Sequence, residues 1–192
     1  MVAERSESMR DLKWAARTVL TAALAAGMLF ACADAAEKPY PAPEFTHQKT
    51  TDWINSAPLK LSELRGKVVL VEFWAFECVN CLNTRAWVES IAKAKADAGL
   101  VVVAVHTPEL ADERFPDKVR AAVTRLGIQY PVMIDRDYSY WNALGNHYWP
   151  AFYLIGRDGL VHGRAAGELH IGDGTARPVE ALIDQLLADA HS

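Results

Sequence analysis

Two apolar runs stand out in the middle of the chain, at residues 68–74, where Glu72 is the one polar residue, and at residues 100–105. Apolar, β-prone runs of this length are typical of strands that are covered on both faces of a sheet. A shorter run at residues 131–134 predicts a third strand. Residues 151–155 and 160–163, separated by a turn that contains two glycines, predict a β-hairpin. A β-sheet is therefore expected at the centre of the fold.

Segments with helical spacing of apolar side chains separate or follow these strands. Residues 79–97 are predicted to form a helix, because their apolar side chains lie near one helical face and the segment ends before Gly99. A second helix is predicted to end before Gly127. Pro178 opens a final helix with an apolar stripe. The order strand, helix, strand, helix, strand, hairpin, helix predicts an α/β domain with a central mixed β-sheet flanked by helices.

The N-terminus has the features of an export signal. Basic residues precede an uncharged run at residues 19–31, and residues 33–35 have the small-x-small form of a signal peptidase site. The run is shorter than the ~20 residues that span a bilayer comfortably. We therefore predict a signal peptide over residues 1–36 and a location that is periplasmic or otherwise extracytoplasmic.

Cys32 leaves a second route open for the same segment. Residues 29–32 resemble a lipoprotein box, in which the signal ends before Cys32 and this residue carries a lipid anchor. Phe30 departs from that pattern, since a small residue is usual there. Both routes export the domain, so its remaining cysteines would work in an oxidising compartment.

The rest of the chain has the composition of one globular domain. The full chain has 192 residues, of which 51% are hydrophobic and 23% charged. Residues 37–50 contain three prolines and are predicted to form an extended lead-in to a domain over residues 51–192. The net charge of −4 provides no basic surface, so nucleic acid is not an expected partner.

The candidate chemistry lies in Cys78 and Cys81, which have two residues between them. Cys78 directly follows a predicted strand, and Cys81 falls in the first turn of the predicted helix. Free N–H groups and a partial positive charge at a helix N-terminus favour a thiolate. We expect Cys78 to attack a partner disulfide and Cys81 to resolve the mixed disulfide.

Other uses of two closely spaced cysteines fit this sequence less well. Covalent haem attachment requires a histidine directly after the pair, where Leu82 stands. A structural zinc site needs a second pair of ligands, and the sequence offers none at suitable spacing. We therefore predict neither a metal nor a bound cofactor. A purely structural disulfide is the remaining alternative.

Several separated motifs in this order resemble the TlpA group of thioredoxin-like proteins, and especially the thioredoxin-like domain of DipZ-type proteins. The matching segments are VLVEFWAFECVNC at residues 69–81, Trp53, LSELRGK at 61–67, VHTPE at 105–109 and WNALGNHYWP at 141–150. They cover about residues 50–190. The resemblance implies a thioredoxin-like fold and thiol–disulfide exchange with partner proteins.

The resemblance also implies roles for two further positions. Pro150 stands where thioredoxins hold a cis-proline against the catalytic disulfide, and Glu72 stands where a buried acid moves protons to the resolving cysteine. Trp149 would then help to shape a substrate surface. Trp74 and Phe76 are predicted to pack around the cysteines and to contribute to that surface, although core filling would equally explain them.

The family further implies reduction of protein disulfides, with electrons supplied by a membrane thiol carrier. Two other functions are possible on the same fold. A thiol peroxidase usually has threonine or serine three residues before the attacking cysteine, where Ala75 stands. A copper-handling domain would use both thiols and His106, but the related copper-delivery proteins have three residues between their cysteines.

Overall fold

A computed structural model describes residues 38–189. The predicted signal peptide at residues 1–36 and the candidate lipid anchor Cys32 lie outside the described residues. Within residues 38–189, no helix is long and apolar enough to cross a membrane.

The described residues alternate between strands and helices along the chain. The strands are β1 Tyr40–Pro41, β2 Trp53–Ile54, β3 Val68–Trp74, β4 Leu100–His106, β5 Val132–Ile134, β6 Ala151–Ile155 and β7 Leu160–Ala166. The α-helices are α1 Val79–Lys95, α2 Pro116–Leu126, α3 Ser139–Ala143 and α4 Arg177–Ala188. Three short 3-10 helices occupy Thr50–Asp52, Leu61–Leu64 and Ala111–Arg114.

The strands form one mixed sheet in the order β1-β7-β6-β3-β4-β5-β2. Strands β3, β4 and β5 are parallel to one another, whereas β6 pairs with β3 and β7 pairs with β6 in antiparallel fashion. All seven residues of β3 are buried, including Glu72, as the nearly continuous apolar run predicts. The expected mixed sheet and hairpin are confirmed.

Each face of the sheet is covered by its own apolar cluster. One cluster contains Phe45, Trp53, Tyr140 and Trp141. Another contains Trp87 of α1 with residues of α4, including Ile183. A third surrounds the carboxyl ends of β3 and β4 and includes both Cys78 and Cys81. Because parallel strands end at the same edge of a sheet, the loops that follow β3 and β4 meet there.

The ends of two helices match local sequence signals. Pro116 occupies the first turn of α2, and that helix ends at Gly127, whose φ of 70° is in the left-handed region that glycine adopts readily. Helix α1 ends at Lys95, two residues before the predicted end, because the chain turns there toward Gly99 at φ 102°.

Two parts of the structure were not predicted from the sequence. Helix α3 is five residues long and has too few positions to show a helical period. Residues 37–50 are predicted as an extended lead-in. In the structure, strand β1 of this segment pairs with β7, and Phe45 is buried in the core. Glu44 also accepts hydrogen bonds from the backbone N–H groups of Leu61 and Ser62.

Candidate active site

Cys78 and Cys81 form a disulfide at the start of α1, with a Cα–Cα distance of 5.3 Å. Cys78 is the N-cap of the helix, and its Sγ accepts a hydrogen bond of 3.2 Å from the Cys81 backbone N–H. Cys78 is 7% exposed and Cys81 2% exposed. Cys78 is therefore the more exposed residue of the pair, and it lies where the helix dipole stabilises negative charge.

Glu72 lies in β3, two strand positions before the end of that strand. It pairs with Ala104 in β4 and with Phe152 in β6, so it is in the middle of the sheet. Burial raises the pKa of the Glu72 carboxyl to about 8, although the positive charge of Arg85 opposes this shift. The side chain therefore binds its proton in the neutral pH range, as a group that exchanges protons with a thiol must do.

The peptide bond between Trp149 and Pro150 is cis, as the resemblance implies. Pro150 is buried, and its carbonyl accepts a hydrogen bond of 3.0 Å from the Gly167 N–H. The half-buried Trp149 donates from Nε1 to the Thr107 carbonyl at 3.0 Å and packs against the cluster that contains both cysteines. The indole of Trp149 thus joins the loop before β6 to the loop after β4.

Trp74 and Phe76 lie in the same apolar cluster as the cysteines. Both are buried, so their side chains offer little surface to a partner in this state. They enclose His106, whose ring stacks on Phe76 with centroids 5.5 Å apart and meets Trp74 edge-on at 5.2 Å. Packing around the disulfide is therefore observed for Trp74 and Phe76, whereas contact with a substrate stays a prediction.

His106 is fully buried at the end of β4, and neither ring nitrogen has a hydrogen-bond partner among residues 38–189. Burial lowers the pKa of the His106 imidazole to about 3, so the ring is neutral at physiological pH. A neutral imidazole between two aromatic rings fills space beside the disulfide without adding charge.

Glu113 is a residue of this region that the sequence did not reveal. Its side chain is fully buried and accepts hydrogen bonds from the backbone N–H groups of Glu77, Glu109 and Leu110. A carboxylate at the third position of a short helix often reaches back to the N-cap N–H. That signal is weak here because the N-cap is Leu110 rather than serine or threonine.

One group of side chains in the described part of the chain has the spacing of metal ligands. Single ligand atoms of His47, Asp135 and Asp137 lie within 4.8 Å of one another. The buried Asp135, however, already accepts hydrogen bonds from the backbone N–H groups of Tyr140 and Trp141 at 3.0 and 2.9 Å. Asp135 therefore serves the start of α3, and we assign no metal to this group.

Comparison with known proteins agrees with this geometry. The Redoxin family model matches residues 37–183. Protein DipZ of Mycobacterium bovis is 42% identical over 143 residues, which are 73% of this chain and 20% of DipZ. The chain thus spans about one fifth of the length of that relative.

A shorter relative is matched along nearly its whole length. The thiol-disulfide oxidoreductase YkuV of Bacillus subtilis is 29% identical over 151 residues, which cover 79% of this chain and 97% of YkuV. A solution structure of a thioredoxin-like protein in the oxidised form superposes with a TM-score of 0.65 and 28% identity, covering 78% of this chain and 96% of the other. The thioredoxin-like fold is thereby confirmed, and the chain belongs to the Redoxin family.

Proposed function

We propose that this protein is an extracytoplasmic thiol–disulfide oxidoreductase that reduces disulfides of partner proteins through Cys78 and Cys81. The observation that carries the proposal is the Cys78–Cys81 disulfide at the N-terminus of α1, with the more exposed cysteine at the N-cap. The similarity to YkuV of Bacillus subtilis, a thiol-disulfide oxidoreductase, supports the same class of reaction.

The reaction follows from two sulfur exchanges. In the reduced protein, the Cys78 thiolate attacks one sulfur of a partner disulfide, forming a mixed disulfide and releasing the first partner thiolate. Cys81 then gives up its proton and attacks the Cys78 sulfur, which forms the Cys78–Cys81 disulfide and releases the second partner thiolate. Two electrons pass to the partner, whose two thiolates take up protons from the surroundings, and no bound cofactor is needed.

Glu72 is the proposed proton acceptor in the second exchange. It is buried in β3, and with its pKa raised to about 8 the carboxyl is partly ionised near neutral pH, so the ionised form can take the proton of Cys81 and release it again. Pro150 and Trp149 are proposed to face the partner chain at the disulfide, because Trp149 packs against the cluster that contains both sulfurs.

Regeneration requires an external source of electrons, since each turnover leaves Cys78 and Cys81 oxidised. A membrane thiol carrier is the proposed donor for a domain outside the cytosol. Export rests on the apolar run and the small-x-small site at residues 19–35. A fusion of residues 1–36 to a reporter that is active only outside the cytosol tests export, and a Cys32→Ser variant of it tests lipidation.

The decisive experiment traps the mixed disulfide. Cys81→Ser should accumulate a covalent complex with a disulfide-bonded protein such as insulin, whereas Cys78→Ser should form none. The reduction potential, measured against glutathione, should lie near −270 mV rather than near −120 mV. Failure of Cys81→Ser to form the complex would contradict the exchange reaction, and a potential near −120 mV would contradict its reducing direction.

A further inference from the structure

We propose that Glu113 is a positioning residue for the Cys78 nucleophile, because it fixes the backbone of the residue that precedes this cysteine. The inference rests on the proposed thiol–disulfide function and names a part of the site that neither the sequence motifs nor the resemblance assigns. Glu113 lies in the 3-10 helix Ala111–Arg114, which follows β4.

The contacts of Glu113 connect two loops at one edge of the sheet. Its Oε1 accepts a hydrogen bond of 2.8 Å from the N–H of Glu77 in the loop between β3 and α1. Its Oε2 accepts bonds of 2.7 and 2.8 Å from the N–H groups of Glu109 and Leu110 in the loop after β4. One buried carboxyl group thus accepts hydrogen bonds from three backbone donors of two loops.

The loop after β4 is itself fixed to the sheet. The N–H of Thr107 donates to the carbonyl of Trp74 at 3.1 Å, and the Thr107 hydroxyl donates to Asp135 at 3.1 Å. The hydroxyl of Tyr138 donates to the Pro108 carbonyl. Glu113 therefore attaches the Cys78 loop to a rigid support rather than to a mobile neighbour.

The turn before Cys78 is held partly by packing, because the Phe76 ring stacks on His106 at the end of β4. Glu77 itself is exposed, and the Cys78 N–H donates to the Ala75 carbonyl within the same turn, at 3.3 Å. The bond from Glu77 to Glu113 adds a hydrogen bond that joins the backbone next to Cys78 to another element.

Fixing Glu77 favours the disulfide over the dithiol. Disulfide formation requires the Cys78 sulfur to stay close to Cys81, and this costs conformational entropy. If the backbone next to Cys78 is already fixed in the dithiol form, less entropy is lost when the disulfide forms. Glu113 acts through Glu77, because both of its oxygens accept hydrogen bonds from backbone N–H groups.

The test compares Glu113→Gln with Glu109→Gln. Glutamine has the length of glutamate but one acceptor oxygen fewer, so Glu113→Gln cannot satisfy all three donors. Glu109 has an exposed side chain in the same loop, and its variant removes one carboxylate while its backbone N–H can still donate to Glu113.

We expect Glu113→Gln to lower the equilibrium constant for disulfide formation with glutathione about tenfold, which makes the potential about 30 mV less negative. Glu109→Gln should stay within twofold of the unmodified protein. A general loss of stability would not move this constant, because it affects the oxidised and reduced forms alike. A folded Glu113→Gln protein within twofold of the unmodified value would overturn the proposal.

Should Glu113→Gln fail to fold, the unmodified protein supplies the measurement. The Glu77 amide proton should exchange with solvent at least 100-fold more slowly than in an unfolded chain, in both redox forms. Exchange at the unfolded rate would overturn the proposal. If the unmodified protein forms no disulfide with glutathione partners at all, the proposed function fails instead.

Discussion

The indole rings of Trp141 and Trp149 pack with their centroids 4.1 Å apart and their planes inclined by 33°. Trp141 belongs to the core cluster on one face of the sheet, whereas Trp149 also contacts the cluster that contains the cysteines. The pair therefore connects α3 to the loop that carries Pro150. This contact fixes the position of the surface next to the disulfide.

Replacing Trp149 by phenylalanine should weaken this connection. The smaller ring still packs on Trp141, but the Thr107 carbonyl loses its 3.0 Å hydrogen bond from Nε1. We expect Trp149→Phe to lower the free energy of unfolding by about 1–3 kcal/mol, measured by urea denaturation. Tyr148→Phe, at a side chain that is 62% exposed, is the control and should change it by less than about 0.5 kcal/mol.

Glu72 should make the stability of the protein depend on pH in a defined direction. Burial raises its pKa from 4.5 to about 8, so the folded state keeps a proton that the unfolded chain has lost. The stabilising contribution of this protonation is fully present below pH 4.5 and is lost as the pH rises through about 8. Near pH 7 the loss is roughly 3 kcal/mol.

A Glu72→Gln variant checks this dependence because glutamine does not titrate. Its free energy of unfolding should exceed that of the unmodified protein by an amount that grows between pH 5 and pH 8. The exposed Glu63→Gln serves as the control and should show no such trend. A constant difference between Glu72→Gln and the unmodified protein over this range would contradict the assignment.

The same variant should slow the second exchange of the catalytic cycle. Without a proton acceptor in β3, Cys81 must lose its proton to solvent before it attacks the Cys78 sulfur. We expect resolution of a preformed mixed disulfide to slow at least about tenfold at pH 7. Stopped-flow measurement of this step should show that the difference becomes smaller at high pH, where solvent removes the proton. Equal rates at every pH would remove Glu72 from the mechanism.

His106 should make the protein less stable in acid. Its pKa is lowered from 6.5 to about 3 by burial, so the unfolded chain binds a proton that the folded state excludes. Stability should therefore decrease as the pH falls from about 6.5 toward 3. His106→Phe keeps a flat ring between Trp74 and Phe76. It should remove the part of the acid-induced loss of stability that comes from His106, as measured by thermal or urea unfolding. His147→Gln, at an exposed position, should leave the acid dependence as it is.

Much of this fold could be predicted from the sequence because its central strands are buried on both faces. Residues 68–74 appear as strand β3 with the predicted bounds. Strand β4 extends one residue further than predicted, to His106, because this polar side chain is nonetheless buried between aromatic rings. Apolar runs predict the strand interiors well. At a strand end, however, the sequence pattern does not distinguish a buried polar residue of the strand from a residue of the following loop.

Part of the candidate site could not be predicted because its contacts involve the backbone. Cys78 and Cys81 are recognisable from their spacing. Glu113 binds N–H groups of residues that its own sequence position does not indicate, one of them 36 positions earlier. Which backbone groups Glu113 contacts depends on how two loops pack against each other at the edge of the sheet. The residue types alone do not specify the relative position of these loops.

Phe45 shows the same limit in the lead-in, and it provides a direct test of how far the domain extends. It lies among polar residues and prolines in the sequence, yet it is fully buried and meets Trp53 and Tyr140 with ring centroids 5.5 and 5.2 Å apart. We expect Phe45→Ala to lower the free energy of unfolding by about 3–5 kcal/mol, because it leaves a cavity between these rings. The exposed Lys49→Ala is the control within the same segment. A loss below about 1 kcal/mol in urea denaturation would contradict the packing of Phe45 in the core, because a packed aromatic side chain cannot be removed at so small a cost.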